Sequence, residues 1–197
     1  MNYKLSKKFF EKHKISKLSA ANIFYFSAND TLPDLFQQFD KISKEKGLHV
    51  PDYSNEREVI SAMTDPEIIV NYMRKNNAIA NRFVMVQKVL EYEDTTMPLV
   101  LMRYLTSALD NYIEIAAHCF LKNDVRYTIE LRKKYSEIRN PYAKAVACLV
   151  FAMRGMDEEI DFLFEEFEKM SKLYPNENYA DFPLLGLQLL FERSNER

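Results

Sequence analysis

Tryptophan is absent and glycine occurs three times in 197 residues. So little glycine argues against a sheet protein with many tight turns, because such turns need positive φ. Leu, Ala, Met, Glu, Lys and Arg, the good helix formers, fill the chain instead. Cysteine is scarce as well. Cys119 and Cys148 have no CxxC spacing and lie in separate apolar segments, which predicts buried, reduced thiols rather than a disulfide framework or a metal clip. Long apolar runs are missing too. The longest uncharged ones, Ala145–Met153 and Phe182–Phe191, reach about half of the roughly 20 residues a spanning helix needs, so no membrane insertion is expected. The N-terminal stretch MNYKLSKKFFEKHKISK is basic but has no signal-peptide apolar core. Together with the cysteine usage, this points to the cytoplasm.

The residues that carry chemistry are equally thin. The three histidines, His13, His49 and His118, fall in separate segments. Glu114 and His118 share a helix face, but one such pair does not supply the three or four ligands of a metal site. There is no Gly-rich phosphate loop, no Gly-x-Ser-x-Gly and no Cys-His arrangement of a nucleophile. No catalytic, cofactor-binding or metal-ligating residue is assigned, and the chain reads as a non-enzyme without a cofactor. His118 is expected at the surface or satisfied within the fold.

What is present is a helical grammar. With 47% apolar and 28% charged residues the chain has the composition of one folded domain, 1–197. Five of its seven prolines open apolar runs: Pro33, Pro66, Pro98, Pro141 and Pro183. Proline at the first turn of a helix sacrifices no hydrogen bond, and its fixed φ suits the helix. Thr31, Asp65, Thr96, Asn140 and Asp181 stand one or two places upstream as caps, so each proline is expected at the first or second helical position. Asn140–Pro141 starts a helix that runs to about Arg154 and is stopped by Gly155. From Tyr142 to Met153 only Lys144 is charged, so the helix should have neighbours on most sides. Asp157 is expected to cap the next helix. There Ile160, Leu163, Phe164, Phe167 and Met170 form an apolar stripe, with Glu158, Glu159, Asp161, Glu165, Glu166 and Glu168 as a solvated face. The two read as a helical hairpin, and Asp110, Ile113, Ala117 and Phe120 repeat the offsets of Asp157, Ile160, Phe164 and Phe167.

Successive opening prolines are 33, 32, 43 and 42 residues apart. Two-helix units of about 40 to 47 residues are the HEAT and armadillo range. At TTMPLVLMRYLTSALDNYIEIAAHCFLKND and NPYAKAVACLVFAMRGMDEEIDFLFEEFEKMSKLYPNENYADFPLLGLQLL the chain resembles bacterial HEAT-like α-solenoid repeat proteins. The second stretch is similar to the C-terminal part of a group from Gram-positive bacteria. The resemblance implies an all-α fold, a right-handed α-α superhelix of stacked helical hairpins. Residues 65–192 would form the hairpin repeats and residues 1–64 an irregular N-terminal, capping part. In that part LSKKFFEKHKI reads as a short helix, Pro33–Lys46 as another stopped at Gly47, and HVPDYSN as a loop leading to a helix from about Glu56.

Charge is near neutral overall at −2 but uneven: residues 1–50 carry +4, 51–100 −3, 101–150 +3 and 151–197 −6. Two basic clusters stand out. Residues 1–17 hold six lysines against Glu11, with Leu5, Phe9 and Phe10 as an apolar side, and read as a capping helix with its lysines in water. The other cluster gathers Arg126, Arg132, Lys133, Lys134, Arg139 and Lys144 against Glu130 and Glu137. On the inner curve of a solenoid these would form an anion-attracting binding strip, with Tyr127, Tyr135 and Tyr142 for stacking. A scaffold or adaptor that binds a protein partner on the solenoid surface is the leading expectation. The alternative is a DNA-binding or repair protein of the HEAT-like alkylpurine DNA glycosylase type. It is disfavoured by the slightly acidic chain and the missing tryptophan.

Overall fold

The computed structural model describes residues 5–15, 19–29, 41, 44–47, 54–75, 88, 98–102 and 110–195. Among them every regular element is helical and there is no strand, so the fold class is all-α. The helices are α1 (Lys7–Lys12), α2 (Ala20–Asn29), α3 (Ser54–Ala62), α4 (Pro66–Lys75), α5 (Asp110–Lys122), α6 (Val125–Lys133), α7 (Pro141–Met153), α8 (Ile160–Leu173) and α9 (Asp181–Asn195). Residues 98–102 are helical too, and short 3₁₀ turns cover Tyr135–Glu137, Asp157–Glu159 and Asn178–Ala180. Pro33 with Thr31, most of the expected helix 33–46, His49, the loop before Ser54 and Thr96 lie outside the described residues.

Local chemistry sets the helix ends. Asn140 Oδ1 accepts from the backbone N–H of Tyr142 at 2.8 Å and of Ala143 at 3.3 Å, and Pro141 is the first residue of α7. Asp65 does the same ahead of Pro66, accepting from Glu67 N at 2.8 Å and Ile68 N at 3.3 Å. Ser6 caps α1 and Asp124 caps α6. Gly155, at φ 74°, ends α7: its own N–H donates to Ala152 O and that of Met156 to Phe151 O, the paired bonds of a Schellman stop. Gly47, at φ 59°, closes the turn after Lys44 in the same handedness.

Two of the expected caps are corrected. Asp157 opens a 3₁₀ turn rather than capping α8, and no side chain caps that turn. Pro183 is the third residue of α9, not the first or second, because the turn Asn178–Ala180 runs straight into Asp181. The third N–H of a helix also lacks an intrahelical partner, so the proline is still tolerated there.

Helices α5, α7 and α9 lie side by side, pointing the same way, with α7 in the middle. Ring and hydroxyl contacts align their starts: Tyr142 donates to Glu114 at 2.7 Å and sits edge-on to Phe182 at 5.5 Å. Arginines align their ends. Arg154, just past α7, donates to Leu121 O of α5 at 2.9 Å. Arg193 of α9 donates to Ala152 O at 3.0 Å and Met153 O at 3.1 Å of α7. Each arginine thus donates to carbonyls in the last turn of its neighbour, where few intrahelical N–H groups are left to bind them.

The apolar character of α7 follows from this central place. Every residue from Ala145 to Ala152 is buried. Its alanines also allow a close approach by α9: a Cβ built on Gly186 would lie 2.9 Å from Ala152 Cβ and 3.8 Å from Leu163 Cδ1. Gly186 therefore sits where α7, α8 and α9 meet. Helix α9 packs along both α7 and α8.

The N-terminal helices close onto this C-terminal part. Phe9 stacks on Phe164 and Phe167 with ring centres 5.7 and 5.9 Å away, and Phe10 on Phe191 at 5.3 Å. Helix α2 spans from α9 to α5, where Phe24 meets His118 at 5.5 Å. Leu5, Ala21 and Phe24 join the same apolar core as α5 to α9. The start of the chain is thus packed against α8 and α9, with Lys7, Lys8, Lys12 and Lys14 exposed as expected.

Candidate functional site

Helix α6 carries half of the basic strip, Arg126, Arg132 and Lys133, and its own periodicity sorts the side chains. Tyr127, Thr128 and Leu131 are buried. The opposite face presents Val125 and Ile129, four residues apart and 39% and 42% exposed. Arg126 and Lys133 flank this apolar pair on one side and Arg132 on the other, as helical spacing requires.

The six cations differ in what holds them. Arg126 lies 3.8 Å from Asp124 and rests on Tyr127, its guanidinium 5.0 Å from the ring centre. Lys133 pairs with Glu130 at 2.5 Å. Lys134 and Arg139 are exposed, and neither pairs with a carboxylate among the described residues. Arg132 turns inward: its Nε donates to Glu159 at 2.5 Å and its guanidinium lies 3.7 Å from the Phe162 ring centre. Lys144 also leans inward, 5.3 Å from the centre of the Tyr135 ring. The structure therefore brings Arg126, Lys133, Lys134 and Arg139 to the surface around α6 and its following turn. Arg132 and Lys144 tie that region to α7 and α8. Tyr127 and Tyr135 are buried and offer no open face for stacking, while Tyr142 is half-buried between Glu114 and Phe182.

One acidic residue departs from the expected solvated face of α8. Glu166 is 7% exposed, accepts the Tyr135 hydroxyl proton at 2.7 Å and pairs through its other oxygen with Lys169 at 3.1 Å. The reason is its register: Glu166 falls three residues after Leu163 and four before Met170, on the inner stripe itself. That spacing was the available signal. Glu158, Asp161, Glu165 and Glu168 are exposed, as the stripe requires, and Glu159 is taken up by Arg132.

His118, Cys119, Cys148 and Tyr135 are all buried. Burial, reinforced by the neighbouring Lys122 charge, lowers the His118 pKa to about 4, so the imidazole is neutral near pH 7. Cys119 and Cys148 are buried free thiols. Burial raises each to about 12; Asn123 hydrogen-bonds the first and Tyr135 lies 3.5 Å from the second. Burial likewise pushes the Tyr135 phenol far above its ordinary value, so it serves as a donor and not as a base. Among the described residues no three His, Cys, Asp or Glu side chains converge as a metal site, and no helix is long and apolar enough to cross a membrane.

A second surface feature lies between α1 and α9. Two adjoining depressions of about 500 and 420 Å³ share Phe10, Lys14, Gln188 and Glu192. Their floor is aromatic and aliphatic (Phe10, Phe191, Leu185), and their rim mixes Lys7 and Lys14 with Glu11 and Glu192. No protein-family model, curated protein or solved structure matches this chain.

Proposed function

We propose that the chain is a non-enzymatic protein-interaction scaffold or adaptor that seats an acidic, partly apolar segment of a partner on the outer face of α6. The observation that carries this reading is the exposed Val125–Ile129 pair beside Arg126 and Lys133, with Lys134 and Arg139 exposed just beyond the end of α6. An apolar contact bracketed by cations fits a helix with apolar side chains four residues apart and carboxylates beside them. The burial of His118, Cys119 and Cys148 supports binding over catalysis. We read the parallel α5–α7–α9 row, with an arginine capping the previous member at each step, as the stacked layer of a HEAT/armadillo-like right-handed α-α superhelix. In this reading α6 and α8 form the second layer and α1 and α2 close one end.

The test uses a labelled model peptide with leucines at i and i+4 between glutamates, followed by fluorescence anisotropy across a salt series. Binding should weaken at least tenfold in Ile129→Asp and in Arg126→Glu/Lys133→Glu. Failure of the peptide to bind at low salt removes this reading. Duplex DNA binding with a steep salt slope, flattened by the same charge reversals, would favour the DNA-binding alternative instead.

A further inference from the structure

The segment from Leu5 to Ile15 is attached to α8 and α9 mainly through side-chain packing. Helix α1 has six residues, none of them fully buried. Its ring contacts with α8 and α9 are Phe9 on Phe164 and Phe167, Phe10 on Phe191, and His13 on Phe167 at 5.3 Å, while Leu5 just before it is buried in the core and Ile15 just after it packs against that core. Among the described residues no hydrogen bond or ion pair joins this segment to either helix; its polar bonds are its own, through Ser6 and its backbone. An isolated helix this short is far from stable in water, so α1 exists by virtue of those rings.

The surface beneath is larger than its occupant. The two depressions of about 500 and 420 Å³ run along the α9 side of α1, so the helix lies in a groove it does not fill. The exposed charges on the two sides differ in sign, without an ion pair between them among the described residues. Lys7, Lys8, Lys12 and Lys14 face water on α1, while Asp161 and Glu168 lie one turn either side of Phe164, and Glu192 lines the groove. The α8–α9 face thus holds two adjacent aromatic side chains of a basic helix, Phe9 on α8 and Phe10 on α9 beside the depressions.

We propose that α1 is a displaceable strap, an intramolecular stand-in for a longer basic amphipathic helix of a partner protein that docks on the α8–α9 face through neighbouring aromatic side chains. This site is independent of α6. Tethering gives α1 a high effective concentration, so the strap excludes weak ligands and yields to one that fills the rest of the groove.

The experiment measures anisotropy of a labelled peptide with the sequence of residues 5–15, LSKKFFEKHKI, against the full chain. Phe9→Ala/Phe10→Ala in the full chain should bind the peptide at least tenfold more tightly than wild type. Adding Phe164→Asp to that variant should abolish the gain. Equal affinity for wild type and the double variant, or no binding to either, overturns the strap. If the double variant loses its helical circular dichroism, hydrogen exchange on the wild-type chain decides. Amides of Phe9–His13 should exchange at least a hundredfold faster than those of Ala145–Ala152, through local opening. Exchange of α1 as slow as that of α7 would make it a fixed wall and overturn the proposal.

Discussion

Tyr135 donates its hydroxyl proton to Glu166 across 2.7 Å, joining the turn before α7 to the inner face of α8. A buried hydrogen bond to a charged acceptor is worth about 1.5–3 kcal/mol. Tyr135→Phe should lower the urea-unfolding free energy by about that amount, since Glu166 keeps only Lys169. In a double-mutant cycle with Glu166→Gln, the two changes should be non-additive by at least about 1 kcal/mol. Additive losses would mean that the pair does not act as a unit.

Such pairings mark the limit of what could be read from the residues in order. Asn140–Pro141 and Asp65–Pro66 were legible because a cap and the N–H groups it binds are two or three residues apart. Gly155 was legible for the same reason, and so was the apolar girth of α7. Glu166 was not, because its partner lies 31 residues upstream and its six acidic neighbours on α8 and the turn before it suggested water. Nor was Gly186, whose meaning depends on Ala152, or the contact of Phe9 with Phe164, which joins opposite ends of the chain. In the binding strip the charges were visible, but the inward turn of Arg132 and the exposed Val125–Ile129 pair emerge only once α6 has a buried side.

Gly186→Ala sets two effects against each other. Alanine favours a helix interior over glycine by about 1 kcal/mol. Its methyl group, however, would stand 2.9 Å from Ala152 Cβ, in a row of helices with little room to part. Overpacking of this kind costs about 1–3 kcal/mol. The variant should therefore melt at a lower temperature than wild type, and Ala152→Gly in the same chain should restore part of the loss. A stabilised single variant would show that α9 can move away from α7.

His118 should give the fold an acid-sensitive limb. Its folded pKa of about 4 lies below the ordinary 6.5, so the unfolded chain binds the extra proton first. Stability is then fully present above about pH 6.5 and declines as pH falls towards 4, by up to about 3 kcal/mol. Asp181 acts in the opposite direction, because burial raises its pKa and acid relieves that penalty. His118→Gln should flatten the slope of unfolding free energy between pH 6.5 and 4.5. An unchanged slope would assign the acid limb to other groups.

Adjacent substitutions on α8 test its register most directly. Glu165 is exposed, and Glu165→Ala should change stability by no more than about 0.5 kcal/mol. Glu166→Ala, one residue on, strands the Tyr135 hydroxyl in the interior and should cost about 1–3 kcal/mol. Phe164→Ala falls between core and surface, because its ring is half-buried under Phe9. It should cost less than the about 3–5 kcal/mol expected of Phe120→Ala, whose ring is fully enclosed. Urea unfolding of the four variants gives the order Phe120, then Phe164, with Glu165 last, and Glu166 well separated from Glu165. A helix rotated by one residue would exchange the two glutamates, which is the outcome that this register forbids.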